Sequence, residues 1–322
     1  MKNISWAIVA ALMLIAPGQM LLAADDINPT MHFITLGTAS GPDSIPNRSQ
    51  PANALVTAQG LYLVDAGDGA VQQLAKAGRR LPEVDGLFLS HLHFDHTAGV
   101  LGVLGLRMQM EEKKTLNIYG PPGTKTFIDG LVAAMTPAMK AGYGLPRPPW
   151  QPNIAVHELR NGAVIELEDL IVKVAENSHY QNQQHTQDTP GYISLSFRFE
   201  GADRSIVFTG DTGPSTAVSE LAKHADLLVS EMMDISLSIA NIKRINPSMD
   251  ANTLRAIETH FRAHHITPEQ VAAMAATADV KALVITHFAP GASTPEQAQQ
   301  YRKQMQNTFK GIIDFASDLD RF

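Results

Sequence analysis

Residues 90–99 read Ser90-His91-Leu92-His93-Phe94-Asp95-His96-Thr97-Ala98-Gly99, so three imidazoles and a carboxylate fall within six consecutive positions. A solvated polar loop has no need of such crowding. Imidazole nitrogen and carboxylate oxygen are the ligand types that Zn²⁺ takes in catalytic sites, and a turn after a strand can aim alternate side chains at one metal and the rest at a second. The run just before, VDGLFLSH (84–91), is short and β-rich, so the order is strand, then metal loop.

Outward from this segment, MHFITLGTASG gives a strand ending in a Gly-rich turn, and NALVTAQGLYLVDAG gives two strands joined at Gln59-Gly60. AVQQLAKAG is helical with a stop at Gly78. TLNIYGPPG is strand then turn, and TKTFIDGLVAAM is helical. AVIELEDLIVKVAENSH is a pair of strands, and GYISLSFRFEGADRSIVFTGD is a hairpin. The last third alternates: SELAKHADLLVSE, a helix within 248–264, the helix TPEQVAAMAATA, the strand KALVITHF and a closing helix near TPEQAQQYRKQMQ. Two β-rich blocks, each followed by helices, predict two sheets packed together with helices outside.

The chain has 322 residues, 44% of them hydrophobic, which is enough for a large core. Its formal charge of −7 provides no basic face, and nucleic acid is not expected as a partner. With no cysteine, thiolate ligands, disulfides and a cysteine nucleophile are excluded, and any metal must be held by His, Asp and Glu. The start, MKNISWAIVAALMLIAPGQMLLAADD, has Lys2, an apolar run from Ile4 to Ala16, a Pro17-Gly18 break and small residues at Ala23 and Ala24. Residues 1–24 therefore read as a signal peptide, leaving 25–322 as a periplasmic or secreted hydrolase domain with no membrane attachment after cleavage. The apolar run is shorter than the ~20 residues of a spanning helix.

The HxHxDH pattern of His91 to His96 resembles the signature of the metallo-β-lactamase superfamily. The resemblance implies an α/β fold, the αββα four-layer sandwich of two mixed β-sheets packed face to face. It also implies two Zn²⁺ ions per chain. His91, His93 and His179 would bind the first, Asp95, His96 and His287 the second, and Asp211 would bridge them. His179 in ENSHY, Asp211 in FTGDTG and His287 in VITHF are each weak signals alone and persuasive together. Two adjacent zinc ions make a shared water acidic and clamp the substrate oxygens, which gives Asp95 and Asp211 catalytic standing. Asp65, in LVDAG, matches the motif whose aspartate supports the metal loop without binding metal.

Within the superfamily the chain is similar to the ribonuclease Z-like branch, through Leu36-Gly37-Thr38-Ala39-Ser40-Gly41-Pro42, Arg48, NIYGPPGTKTFIDGL and HHITPEQ. There His265 matches a catalytic histidine that assists at the scissile group. Thr267 and Pro268 also form a helix start, so a capping role fits the same segment; His260 and His264 read as bystanders. Between His179 and Asp211 no long arm of the transfer-RNA processing kind is evident. The pattern follows secreted zinc-dependent arylsulfatases more closely. The expected function is hydrolysis of a small anionic sulfate or phosphate ester, of arylsulfatase or phosphodiesterase type; dimers are common in the branch, so a homodimer is one arrangement open to the chain, whose sequence does not itself set the oligomeric state. The alternative on the same metals is acyl hydrolysis, as in a lactonase or β-lactamase. A zinc storage protein is disfavoured because seven ligands for two metals leave positions open.

Two segments read either as ordinary connections or as a lid over the site. In 134–152, Tyr143 and Trp150 would wall an aryl group. In 232–249 the methionines, Met232 among them, would join that wall, and Lys243 or Arg244 would meet an anion.

Overall fold

The computed structural model of the chain describes residues 30–141, 153–181, 191–290 and 294–322. The leader, Tyr143 and Trp150 lie outside these residues. Among the described residues, no helix is long and apolar enough to cross a membrane.

The first sheet runs β1 (His32–Gly37), β2 (Ala52–Val56), β3 (Leu61–Ala66), β4 (Gly86–Phe88), β5 (Leu116–Gly120) and β6 (Ile154–Glu158), neighbours in sequence order. Its first three strands are an antiparallel meander and the rest are parallel. Parallel neighbours need crossovers. These are supplied by α1 (Ala70–Lys76), by α2 (Phe94–Thr97) with α3 (Val100–Gln109), and by α4 (Thr124–Ala141).

The second sheet repeats the plan: β7 (Val164–Glu166), β8 (Ile171–Glu176), β9 (Leu195–Glu200) and β10 (Ser205–Phe208) are antiparallel, and β11 (Leu227–Met233), β12 (Ala282–Ala289) and β13 (Ile312–Phe315) continue in parallel. Its crossovers are α5 (Thr216–Leu221), the group α6 (Ile235–Ile245), α7 (Ala251–His264) and α8 (Pro268–Thr277), and α9 (Pro295–Met305).

Strand side chains alternate between faces, and here both faces are apolar. Phe33, Leu55, Tyr62, Val64 and Phe88 of the first sheet meet Val172, Phe197, Phe199, Phe208 and Val229 of the second in one core. Phe88 touches Tyr119, Phe197 and Phe199 at ring-centroid distances of 4.7, 5.5 and 5.4 Å. The intervening residues Ile34, Leu63 and Leu87 pack on the helices of the first half, and Val207, Leu228 and Leu283 on those of the second. The architecture is the expected four-layer αββα sandwich.

Composition left four elements unread: β6, β13, α3 and the bounds of α6. The two strands are short and partly exposed at sheet edges, so neither shows a clear alternation.

The chain's end closes on its beginning. Phe322 and Phe33 exchange both backbone hydrogen bonds, and Asp320 accepts from Thr35 N, which covers the free edge of β1. Next to this pairing, the Asp318 carboxylate accepts from Thr38 N at 3.0 Å, Thr38 Oγ1 at 2.7 Å, Ser49 N at 2.7 Å and Gln73 Nε2 at 2.8 Å. It thus fixes both ends of the loop between β1 and β2. Replacing Asp318→Ala is expected to cost about 2–4 kcal/mol, since several charge-assisted bonds are lost at once. The check is a lower urea midpoint at unchanged m-value; an unshifted midpoint would refute the anchoring role.

Candidate metal centre and active-site cleft

The polar residues gather where strands end, as ligand crevices do in sheets with parallel strands. Asp65 closes β3, His91 follows β4, His179 follows β8, Asp211 follows β10 and His287 sits in β12. All except His93 and Asp95 are buried.

Hydrogen bonds to the far side of each ring decide which nitrogen faces inward. Ser90 Oγ donates to Asp65 Oδ2 at 2.8 Å, so it accepts from His91 Nδ1 at 3.0 Å and leaves His91 Nε2 as a lone pair. The carbonyl of His264 accepts from His179 Nδ1 at 2.9 Å and does the same for His179 Nε2. These two nitrogens lie 3.1 and 3.2 Å from His93 Nδ1. A tetrahedral zinc with bonds of ~2.0–2.1 Å holds its ligands ~3.3 Å apart, and mutually facing lone pairs repel unless a cation lies between them.

The second group is built alike. Asp65 Oδ2 accepts from His96 Nδ1 at 2.8 Å, turning His96 Nε2 towards Asp211 Oδ1 at 3.3 Å and Asp95 Oδ2 at 3.6 Å. His287 Nε2 stands 3.4 Å from Asp95 Oδ2 and 3.6 Å from Asp211 Oδ2. Asp211 Oδ2 is also 4.0 Å from His91 Nε2 and 3.9 Å from His179 Nε2, which places this carboxylate between the groups. Four sets, His91/His93/His179, His91/His96/Asp211, Asp95/His96/His287 and His179/Asp211/Glu231/His265, each converge closely enough to hold an ion. His96 Nε2 and Asp211 Oδ1 are buried without a hydrogen-bond partner among the described residues. The donor set therefore fits a pair of divalent cations.

Charge in the metal-free protein follows the same geometry. Burial opposes ionisation of Asp211, but His287 and His96 outweigh it and hold the carboxyl well below its usual range. Burial likewise opposes charging His287, and Asp211 and Asp95 overcome it, raising the ring to about 9. His96 is raised for the same reason. His179, with burial dominant, falls to about 3.

Asp65 and His287 have positive φ, of 58° and 43°. Such strain persists where surrounding contacts over-determine the backbone. Gly41 donates its N–H to Asp95 Oδ2 at 3.1 Å, and a Cβ on it would lie 2.3 Å from that oxygen. The residue must be glycine for the Gly-rich turn to reach Asp95.

His265, at the junction of α7 and α8, lies beside the cluster, its ring 5.0 Å from that of His179. Thr267 and Gln270 form a full capping box on α8, so the capping role and the place in the site hold together. The residue that sequence reasoning missed is Glu231. It stays in β11's regular alternation, and the bulge lies opposite it in β12, where Ser230 pairs with Ile285 and Met232 with Phe288, so that Thr286 and His287 together face Glu231. There its carboxylate accepts from His265 Nδ1 at 2.8 Å and from Thr212 N at 2.6 Å. Burial disfavours charge on His265, yet Glu231 reverses this and raises it. The available signal was an acidic residue inside the apolar run LLVSEMM, where charge is costly without a purpose.

The clusters open into a cleft of about 760 Å³, walled by the 40–46 loop, Phe94, α6 and the end of α7. Half of the lid expectation needs correction. Met232 packs in the core with Ile266 and Phe288, on the same face of β11 as Leu228, and Met233, on the face of Leu227 and Val229, lines the cleft instead. Arg244 lines it, and among the described residues it is the cleft's only Lys or Arg.

The description "Beta-lactamase superfamily domain" matches residues 61–288. A ribonuclease Z of Mycobacterium bovis (strain BCG / Pasteur 1173P2) is 30% identical over 299 residues, covering 90% of this chain and 97% of that protein. The chain belongs to the metallo-β-lactamase superfamily, in its ribonuclease Z-like branch. It is accordingly a metal-dependent hydrolase. Solved structures of the superfamily share the fold: the short form of human tRNase Z, with TM-score 0.62, 22% identity and coverage of 90% and 98%, and Zn(2+)-bound PqqB from Methylobacterium extorquens, with TM-score 0.63, 14% identity and coverage of 90% and 99%.

Two outcomes are expected. Gly41→Ala displaces Asp95 and weakens metal binding at the Asp95/His96/His287 set by about 10–100-fold, read by competition with a chelating dye; unchanged affinity would contradict the close approach. Protonated His287 adds stability in full below its free value of 6.5, and this is lost as pH rises through about 9. Neutral His179 adds stability above 6.5, lost as pH falls towards 3. Thermal melts of chelator-treated protein should therefore peak near neutrality, and a midpoint still climbing at pH 9 would overturn the His287 assignment.

Proposed function

We propose that this protein is a dinuclear zinc hydrolase of small anionic phosphate esters, of phosphodiesterase type, with His91, His93 and His179 as ligands of one ion, Asp95, His96 and His287 of the other, and Asp211 bridging. The observation that carries the reading is the pair of interlocked His/Asp clusters sharing Asp211 beside the His265–Glu231 dyad, at the floor of one cleft. Kinship with ribonuclease Z supports phosphoester chemistry.

When bound, two adjacent divalent cations supply a water acidic enough to attack at neutral pH and positive charge against the ester oxygens. The protein's own groups do the rest. Asp65, Ser90 and the His264 carbonyl hold the rings in one tautomer, so no reorientation is needed during reaction. Glu231 accepts from His265 Nδ1, which leaves Nε2 as the free nitrogen of a ring lining the cleft. Protonated, this ring can donate to the departing alkoxide, and the Glu231 charge stabilises the protonated form. Arg244, the one Lys or Arg on the cleft wall among the described residues, and the net negative charge favour a small ester over a nucleic acid, whose grip needs a basic track.

A second reading is aryl sulfate hydrolysis, since sulfate esters present a similar tetrahedral anionic centre; Glu176-Asn177-Ser178-His179-Tyr180 and the arylsulfatase-like pattern of the chain favour it. The leader-like residues 1–24 support a periplasmic or secreted location for either.

The test is a parallel assay of metal-quantified protein on an aryl phosphodiester, an aryl sulfate, a lactone and a β-lactam. Turnover of the phosphodiester that chelation abolishes is expected; turnover confined to the lactone or β-lactam would overturn the ester reading. His265→Ala should lower kcat by about 10²–10⁴-fold at unchanged metal content, and Glu231→Gln by about tenfold. Full activity in His265→Ala would remove its role at the leaving group.

A further inference from the structure

His260 stands outside the metal-facing groups, yet it lines the same cleft, one turn before His264 on α7. Its hydrogen bonds determine what it offers there. The carbonyl of Gln181 accepts from His264 Nε2 at 2.8 Å, so that nitrogen carries the proton and His264 Nδ1 is a lone pair. His260 Nδ1 lies 2.7 Å from it and must be the donor. Neutral imidazole has one proton, so His260 Nε2 is left as an acceptor. No hydrogen bond among the described residues reaches this nitrogen. Burial, helped by His264 and His265, pushes His260 down to about 4, which keeps the ring neutral at physiological pH.

The surroundings indicate what such an acceptor meets. The His260 ring is centred 6.0 Å from that of His265, the group assigned to the leaving alcohol. Phe261, Ile242, Ile45 and the 83%-exposed Phe94 line the same cleft and give it apolar wall. Asp43, Ser44, Asn241 and Arg244 also line the cleft, and an apolar wall beside an acceptor whose proton position is fixed suits a flat apolar body that bears a donor.

We propose that His260 is a specificity-determining residue whose Nε2 receives a hydrogen bond from a hydroxyl on the leaving alcohol, so that the cleft selects esters of hydroxyaryl alcohols. This rests on the ester-hydrolase reading. The same relay explains why two adjacent histidines differ in duty: His264 passes its orientation to His260 through its ring and to His179 through its carbonyl.

The experiment compares zinc-loaded wild type, His260→Phe and His260→Gln on the 2-, 3- and 4-hydroxyphenyl esters and their methoxyphenyl counterparts, made as both aryl phosphodiesters and aryl sulfates. Wild type should favour at least one hydroxyphenyl isomer by about five- to tenfold in kcat/KM, expressed mainly in KM. His260→Phe should bring that ratio to about one, and His260→Gln, whose amide oxygen can accept, should keep part of it. A second arm measures binding of the free dihydroxybenzenes and methoxyphenols to the same three proteins by ligand-observed NMR. No hydroxyl preference in either arm, or a preference that survives His260→Phe, overturns the proposal. If none of the esters is turned over but the dihydroxybenzenes still bind preferentially and depend on His260, the ester reading fails and the acceptor role stands.

Discussion

Everything in this fold answers to one electrostatic problem: six imidazoles and two carboxylates converge around Asp211 with lone pairs facing one another at 3–4 Å. In low dielectric such a gathering is unfavourable unless protons or cations lie among the groups. The metal-free protein meets it with protons on His96 and His287 opposite the ionised Asp95 and Asp211. Divalent cations would answer it at the same points. What the fold supplies is rigidity enough to keep the groups from swinging apart, and the aromatic core around Phe88 lies directly beneath the loop that starts at Ser90.

The two sheets contribute different parts of that constraint. The first provides Asp65 and the loop of His91, His93, Asp95 and His96 from adjacent parallel strands, so their spacing is set locally. The second provides His179, Asp211, Glu231 and His287 from four strands far apart in sequence, brought into register only by the sheet. Asp318 then ties the chain's end to the β1–β2 loop, and through Gly41 to Asp95. A contact more than two hundred residues from the metal loop in sequence thus bears on a ligand.

This division explains what could be read in advance. His91 to His96 are legible because a dense local pattern has few structural explanations, and β1 to β4 are legible as apolar runs because both sheet faces are buried. His179, Asp211 and His287 are legible only through resemblance, as single polar residues at strand ends. Glu231 was not legible as a site residue: it keeps β11's regular alternation, with Leu228 and Met232 on the core face and Met233 towards the cleft, and only the fold brings His265 and Thr212 to its carboxylate. The broken register is in β12, where an extra residue at Thr286-His287 puts Ile285 and Phe288 on the same face, and a strand's period of two predicts faces only up to such a bulge.

The histidines of HHITPEQ show a second limit. From sequence, His265 stands out and its neighbours look idle, because the chemistry of an imidazole depends on which nitrogen is protonated and composition says nothing about that. In the fold, four of the rings have their outer nitrogen assigned to an oxygen: Ser90 for His91, Asp65 for His96, the His264 carbonyl for His179 and Glu231 for His265. His264 extends this scheme from main chain to side chain, since Gln181 fixes its own proton and so dictates that of His260. The site is therefore better described by its proton positions than by its residue types, and those positions are set by backbone carbonyls and loop turns that no motif records.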